Sequence, residues 1–391
     1  MYFEFYNPVK ICAGDTALSN LSNELEFLNC KKCLIITDNG IEKSGLLKYV
    51  IDSFYNANVK IGDIFTDIPP DSDKDVVNKI ADIYREKNCD SIVAVGGGSV
   101  IDTAKGVNIL VSENSSDLMK FCGANILKKP LKPFIVIPTT SGTGSEVTVV
   151  AVIANRETNS KMLFLSPFLL PNVAIIDPVM TLTLPPFLTA ATAMDALTHA
   201  IEAYICIGKN MLSDAYSFSA IKLLSKNLIN VVKKPDDRNG RLNLALASTM
   251  AGIAFSNSMV GLVHTIGHSV GAICHIHHGV AMNILLPYVL EYNLPKVGNY
   301  IGELLLPLVG EDIFVVTPTN ERPAKVIEYI RYLQKNLFDL VKLPRKLSET
   351  GKVLESQFEE IANLSLKDAS LAYNPEDADI EDIIEILKKA F

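Results

Sequence analysis

The strongest constraint on the fold is a change in periodicity near the middle of the chain. Through about residue 180, compact β-branched runs alternate with amphipathic helical stretches, and from Pro185 and Pro186 onward apolar residues recur only at helical spacing. Alternating strands and helices indicate a parallel sheet covered by helices on both faces. The sequence therefore predicts two domains, a parallel α/β domain over residues 1–184 and an all-helical domain over residues 185–391.

Charge and composition narrow the class of partner. The net charge of −8, without a long basic run, argues against nucleic acid as a main partner. Because no uninterrupted apolar stretch is long enough to cross a bilayer, we expect no membrane span. Seven scattered cysteines and a first segment without a basic or apolar leader favour a reducing cytoplasm.

Two polar, glycine-bearing turns follow predicted strands of the first domain. Gly96–Ser99 leads directly into a helix, where glycine lets a phosphate approach and the helix N-terminus offers unpaired N–H donors. Pro138–Glu146 supplies five hydroxyls and two glycines. Such turns at the carboxyl ends of parallel strands predict a Rossmann-like dinucleotide site. A tight turn, or a capping box between Ser99 and Asp102, is the alternative explanation of the first motif.

Asp38 stands at the end of another predicted strand, Lys32–Thr37. A carboxylate in that position can accept a hydrogen bond from an adenosine ribose hydroxyl and would repel a 2′-phosphate. The residue therefore favours NAD over NADP. The structural alternative is an aspartate that only stabilises its own turn.

The histidines of the second domain are clustered. The chain has six, five of them lie between His264 and His278, and the sixth, His199, follows Asp195 by four residues. On a helix that spacing places a carboxylate and an imidazole on one face. Together they predict a metal site with nitrogen and oxygen ligands, suited to Fe²⁺, Zn²⁺ or Mn²⁺.

The spacing of the residues does not by itself determine which of them are metal ligands. His275, His277 and His278 lie too close together for the sequence to select the ligand among them. His264 and His268 could be an ordinary pair on one helix face. Asp195 and His199 could likewise be an ordinary solvated pair on a helix.

The chain resembles the iron-containing (group III) alcohol dehydrogenase family over essentially its full length. The resemblance rests on five motifs in the family's order: Gly96–Ser99 with Asp102, Pro138–Thr143, Met194–Glu202, Gly261–His264 and His278–Ala281. It implies the architecture shared with dehydroquinate synthase, a Rossmann-like sheet domain followed by a helical catalytic domain. Ser269 and Val150 depart from residues that are common in the family, and Val150 could alter the substrate pocket.

The resemblance also implies roles for individual residues. The metal ligands would be Asp195, His199, His264 and His278, with His268 as a proton-relay group near the nicotinamide. The residues expected at the cofactor are Asp38, Gly97, Gly98, Ser99, Asp102, Thr139, Thr140, Thr143, Ser145 and Lys161.

The predicted function is reversible hydride transfer between NAD(H) and a small primary alcohol or diol and its aldehyde, assisted by Fe²⁺ or Zn²⁺ in the cleft between the domains. The main alternatives are a zinc polyol dehydrogenase of the glycerol dehydrogenase type and a lyase of the dehydroquinate synthase type. A nucleotide- and metal-binding protein without turnover is the alternative from another class. The exposed character of the first predicted strand, over about the first eleven residues, suits pairing in a homodimer or higher homo-oligomer.

Overall fold

The computed structural model describes residues 2–69, 73–157 and 160–391, Ser160 by its backbone alone. The chain forms two compact units, Asn7–Thr183 and Leu184–Phe391, and the second also includes the first segment up to Tyr6. No helix in these described ranges is both long and apolar enough to span a lipid bilayer.

The first unit is an α/β unit. Its strands are β1 Lys10–Ala13, β2 Lys32–Ile36, β3 Lys60–Phe65, β4 Ser91–Gly96, β5 Gly123–Ala124, β6 Phe134–Pro138, β7 Val150–Asn155, β8 Ser160–Leu165 and β9 Val173–Ile176. Its helices are α1 Leu21–Phe27, α2 Asn39–Lys43, α3 Leu46–Asp52, α4 Lys74–Glu86 and α5 Gly98–Ser112. Six strands form a parallel sheet in the order β1-β9-β6-β4-β2-β3, which confirms the predicted parallel α/β fold.

The two faces of this sheet follow the alternation of its strand residues. On β4, Ile92 and Ala94 pack with residues of α4 and α5, whereas Val93 and Val95 pack with residues of α1 and α3. Because successive strand residues point to opposite faces, a continuous apolar run is what a sheet covered on both faces requires. The order changes direction between β2 and β4, so the ends of these strands form the switch point where such sheets bind ligands.

Three details differ from the sequence-based prediction. The first strand covers only Lys10–Ala13, because Tyr6 and the residues before it belong to the helical unit, where Phe5 stacks on Tyr216. The helix predicted near residues 41–56 is divided into α2 and α3 by Gly45, whose φ of 79° is left-handed. The small sheet β5-β8-β7, with an antiparallel β7–β8 pair, was not predicted.

The second unit is helical, as predicted. Its helices are α6 Pro186–Ile205, α7 Met211–Lys233, α8 Arg238–Ser256, α9 Leu262–Cys274, α10 His278–Glu303, α11 Leu305–Val309, α12 Glu311–Val316, α13 Arg322–Val341, α14 Phe358–Ser365 and α15 Ile380–Ala390. Every residue of α6 from Thr189 to Ile205 is buried, so α6 lies inside the unit with neighbours on all sides.

Candidate metal centre and nucleotide turns

The central helix α6 contributes three polar side chains to one of its faces. Asp195, His199 and Glu202 are four and then three residues apart, which is the spacing of neighbours on a helix face. All three are at least 94% buried. Buried polar groups need partners, so this face must be satisfied by residues or ligands next to it.

Two further helices bring imidazoles to that face. His264 lies in the first turn of α9, and His278 is the first residue of α10. Nε2 of His278 lies 3.2 Å from Oδ1 of Asp195, and Nε2 of His264 lies 3.8 Å from the same oxygen. Nδ1 of His199 lies 3.9 Å from it. The four residues each offer one donor atom, and these atoms all lie within 4.8 Å of one another.

Three atoms of this cluster are buried without a hydrogen-bond partner among the described residues. They are Oδ1 of Asp195, Nδ1 of His199 and Nε2 of His264. Leaving a buried polar atom unsatisfied costs about 1–3 kcal/mol. A divalent cation at the point where their lone pairs converge would satisfy all of them, and three imidazoles with one carboxylate suit Fe²⁺ or Zn²⁺. The residues present therefore fit a metal ion.

The pKa shifts show the electrostatics of the same cluster. Although burial opposes its charged form, the imidazoles of His199 and His278 hold the pKa of Asp195 well below its ordinary value. Burial lowers the pKa of His199 to about 3, which favours the neutral form of the ring, whose lone pair a metal ion requires. Burial would lower the pKa of His264, but the carboxylates of Asp195 and Glu202 beside it raise that pKa to about 9. The carboxylates thus favour a positive charge here, whether a proton or a metal ion carries it.

Glu202 is a further residue of the candidate site, to which the sequence-based prediction assigned no role. Its Oε2 accepts a hydrogen bond from Nδ1 of His264, and its Oε1 accepts one from the backbone N–H of Val263 at 2.7 Å. The first bond turns the other ring nitrogen, Nε2, toward Asp195. The second satisfies a free N–H at the start of α9, whose cap residue Gly261 provides no side chain. Glu202 follows His199 by three residues, and that spacing was the available signal.

His268 lies beside the cluster and has a different partner. Its Nδ1 is 2.8 Å from Oδ2 of Asp368, and its side chain is 40% exposed. Its ring stacks on that of His278 with the centroids 5.4 Å apart. Asp368 is held in turn by the N–H of Ser370 at 2.8 Å. His268 and Asp368 are 100 positions apart in the chain, so the sequence gave no signal for this pair.

The structure separates the three histidines that spacing could not distinguish. His275 is the left-handed C-cap of α9, with a φ of 52°. His277 is the N-cap of α10, and its Nδ1 accepts the N–H of Gly279 at 3.2 Å. Of the three, His278 alone belongs to the group of converging donors in the described chain.

In the α/β unit, the two predicted nucleotide turns lie against each other. The N–H of Thr139 donates to the carbonyl oxygen of Gly96 at 3.1 Å, because β4 and β6 are neighbours. A Cβ built on Gly97 would lie 3.2 Å from Cγ2 of Thr140, and one on Gly98 would lie 2.9 Å from Cγ2 of Thr143. Glycine is thus what allows the hydroxyl turn to approach the helix N-terminus.

The first turn is built differently from a capping box. Helix α5 begins at Gly98 with Gly97 as its N-cap, so Ser99 occupies the second helical position. Oδ2 of Asp102 accepts the N–H of Val152 on β7 at 3.0 Å. The capping-box alternative for Ser99 and Asp102 is therefore wrong, and Asp102 instead links α5 to the small sheet.

The other residues predicted at the cofactor lie on the same unit. Asp38 is the N-cap of α2, and its Oδ1 accepts the N–H groups of Gly40 and Ile41 at 2.7 and 3.0 Å. The N–H of Ser145 donates to Oγ1 of Thr143 at 3.2 Å. Lys161 is exposed on β8, where it pairs with Ala154 of β7.

Comparison with known proteins gives a family for both units. Residues 8–178 match the profile described as iron-containing alcohol dehydrogenase. Residues 189–391 match the profile of the C-terminal part of the iron-containing alcohol dehydrogenase family. Together the two matches cover nearly the whole chain.

Individual relatives align over their full length. The NAD-dependent methanol dehydrogenase of Bacillus methanolicus is 34% identical over 99% of this chain and 99% of its own length. The 1,3-propanediol dehydrogenase of Klebsiella pneumoniae is 36% identical over 100% of this chain and 99% of its own. A crystal structure of a 1,3-propanediol oxidoreductase superposes with a TM-score of 0.95, at 34% identity and with 100% of both chains covered.

Proposed function

This chain belongs to the iron-containing alcohol dehydrogenase family, and we propose that it interconverts a small primary alcohol or diol and its aldehyde by hydride transfer to and from NAD(H). The observation that carries this proposal is the convergence of buried donor atoms from Asp195, His199 and His264. Relatives named for methanol and 1,3-propanediol support a substrate of few carbon atoms.

The proposed metal ligands are Asp195, His199, His264 and His278, and the proposed ion is Fe²⁺, with Zn²⁺ as the second option. When bound, such a cation supplies a Lewis acid that polarises a carbonyl oxygen or stabilises an alkoxide. The protein's own contribution is to hold the four donors on three packed helices, with Glu202 fixing the orientation of His264.

The proposed cofactor site uses the turns of the α/β unit. Gly97, Gly98 and Ser99 would hold the pyrophosphate at the start of α5, where backbone N–H groups and the helix dipole favour negative charge. The further residues assigned to this site are Asp102, Thr139, Thr140, Thr143, Ser145 and Lys161. The capping bonds use Oδ1 of Asp38, which leaves Oδ2 for a ribose hydroxyl and favours NAD over NADP.

His268 is the proposed proton-relay residue. Because its Nδ1 is held by Asp368, its Nε2 is left to exchange a proton with the substrate, either directly or through a ribose hydroxyl. The exposed 40% of its side chain supports passage of that proton to solvent.

We also infer a homodimer or larger homo-oligomer in a reducing, cytoplasmic compartment. Strand β1 is an edge strand with three of its four residues exposed, which suits pairing with a second copy. All seven cysteines are free thiols, as expected of a reducing compartment. Light scattering of the purified protein tests the first inference, and a mass equal to one chain of 42.7 kDa would contradict it.

The test of the proposed function is an anaerobic assay of NADH oxidation. The protein is stripped with a chelator, reloaded with Fe²⁺ or Zn²⁺, and offered short aldehydes, including 3-hydroxypropanal and lactaldehyde. We expect metal-dependent NADH consumption with at least one aldehyde, one NADH per carbonyl reduced, and much slower oxidation of NADPH. Tight NADH binding without consumption across the panel, or turnover that regenerates the cofactor, would contradict a dehydrogenase.

A further inference from the structure

Lys105 is a lysine in the interior of the α/β unit. It lies on α5 and is only 1% exposed, among apolar neighbours on the same helix such as Ile101 and Ala104. Burying an ammonium group is costly unless it is paired and hydrogen-bonded. An aliphatic residue would fill this position without that cost, so the charge needs an explanation beyond packing.

All three N–H donors of the Lys105 ammonium are used on one short segment. Its Nζ lies 2.9 Å from the carbonyl oxygen of Thr148, 3.0 Å from Oγ1 of the same residue and 2.7 Å from the carbonyl oxygen of Val150. An ammonium has three donors and no acceptor, so its hydrogen-bonding capacity is filled. The lysine thereby fastens residues 148–150 to α5.

Two carboxylates also act on the Lys105 ammonium by electrostatic attraction. Those of Asp102 and Glu146 both attract the buried ammonium, which compensates its charge. Asp102, one turn before Lys105 on α5, also accepts the N–H of Val152. We call the contacts of Lys105 and Asp102 with residues 148–152 the Lys105 bracket.

The bracket holds a segment that has little regular structure of its own. Between β6 and β7, the chain forms only a 3₁₀ turn at Ser145–Val147, so hydrogen bonds of regular structure do not fix its path. This segment carries Thr140 and Thr143, whose side chains face Gly97 and Gly98. Helix α5 therefore has the first nucleotide turn at its N-terminus. Further along the same helix, Lys105 holds the segment that carries the second turn.

We propose that Lys105 is a positioning residue that sets the spacing of the two nucleotide turns and thereby the affinity for NADH. Lys105 does this by holding residues 148–150, without contacting the cofactor. The inference rests on the proposed function, because it takes the two turns as the NADH site.

The test is a titration of NADH fluorescence with iron-loaded wild type and the Lys105→Met variant. We expect the variant to raise the Kd for NADH at least tenfold, while its iron content stays at that of the wild type. The matched control is Asn108→Leu on the same helix. Asn108 is 2% exposed and fastens α5 to Lys132 by two hydrogen bonds, away from the hydroxyl turn. We expect this control to change the Kd by less than twofold.

Two results would overturn the proposal. One is a Kd of Lys105→Met within twofold of the wild type, and the other is an equal rise for Asn108→Leu, which would indicate general loosening. If Lys105→Met yields no folded protein, Lys105→Arg carries the test, because it keeps the charge but not the placement of three donors. A Kd raised at least threefold then supports the bracket, and an unchanged Kd overturns it. If the wild type itself binds no NADH, the result contradicts the proposed function, and the proposed role of Lys105 in NADH binding is contradicted as well.

Discussion

Among the clustered histidines, the hydrogen-bond partner of each ring indicates its role. Nδ1 of His264 is held by a carboxylate while its Nε2 is buried without a partner among the described residues. His268 is held by Asp368, and 40% of its side chain is exposed. The first arrangement suits a metal ligand and the second a group that exchanges protons.

We therefore predict different losses for two alanine variants. His264→Ala should abolish bound iron and activity together, because it removes one of four converging donors. His268→Ala should keep its iron, lower kcat by about 10²–10⁴-fold and change the pH profile of turnover. Metal analysis and steady-state kinetics of both variants test this. If His268→Ala lost iron as completely as His264→Ala, the separation of ligand from relay would be wrong.

Glu202 leads to a second prediction. Glu202→Ala should lower iron affinity by about 10–100-fold, because it frees the ring of His264 to turn away from Asp195. The matched control is Glu303→Ala, whose carboxylate accepts the hydroxyl of Tyr204 at 2.6 Å. Competition with a chromogenic chelator measures the affinity of each variant. An unchanged affinity in Glu202→Ala, or an equal loss in the control, would contradict an orienting role.

The buried Lys105 gives a prediction about pH. Burial lowers its pKa from 10.5 to about 8, so between these values the folded protein has released a proton that the unfolded chain still holds. The free energy of unfolding should therefore rise as pH increases from about 8 to 10.5, by on the order of 3 kcal/mol from this residue. Urea unfolding across this range, compared with Lys105→Met, isolates the effect. An identical pH dependence in both proteins would contradict it.

At the scale of elements, the sequence predicted the sheet and the main helices better than their connections. Strand β4 and helix α6 were predictable because a compact apolar run and a long helical periodicity are local signals. The division at Gly45 depends on one left-handed residue. The β7–β8 pair joins neighbouring segments in an antiparallel hairpin, so its absence from the prediction is a missed local signal and not an effect of distant contacts.

For the candidate metal centre, the sequence predicted local relations between residues better than contacts between distant ones. The spacing of Asp195 and His199 predicted a shared helix face, because that relation is local to α6. The cap role of His277 depends on where α10 begins, and helix boundaries are poorly determined by periodicity. The partner of His268 is 100 residues away, so only the folded chain identifies it.

The contact between α6 and α10 yields a prediction at this scale. A Cβ on Gly279 would lie 2.2 Å from the carbonyl oxygen of Ala191, so Gly279→Ala must push the start of α10 away from α6. We expect a loss of about 1–3 kcal/mol in the free energy of unfolding and a weaker affinity for iron, because His278 moves with that end. Urea unfolding and metal titration measure the two effects.

Gly298, which lies directly after a kink at Val297 of α10, is the matched control. A Cβ there would meet no atom within 4 Å in the described structure. Gly298→Ala should therefore leave iron affinity unchanged and stability equal or higher by about 0.5–1 kcal/mol. If both variants had the same effect, close packing at Gly279 would not be what places His278.

In the molecule as a whole, the proposed metal ligands and the proposed cofactor-binding turns belong to different units. All four proposed metal ligands belong to the unit that contains Leu184–Phe391, on α6, α9 and α10. Both nucleotide turns and Asp38 belong to Asn7–Thr183. Each unit buries its own apolar core, so each can hold its group in a fixed geometry before a ligand arrives.

The proposed metal site is tested most directly by anomalous X-ray scattering, at the iron absorption edge, from crystals of iron-loaded protein grown without oxygen. We expect one iron site per chain, bonded to Asp195, His199, His264 and His278. An iron held by other side chains, or a loaded protein in which these four side chains do not contact the iron, would contradict it.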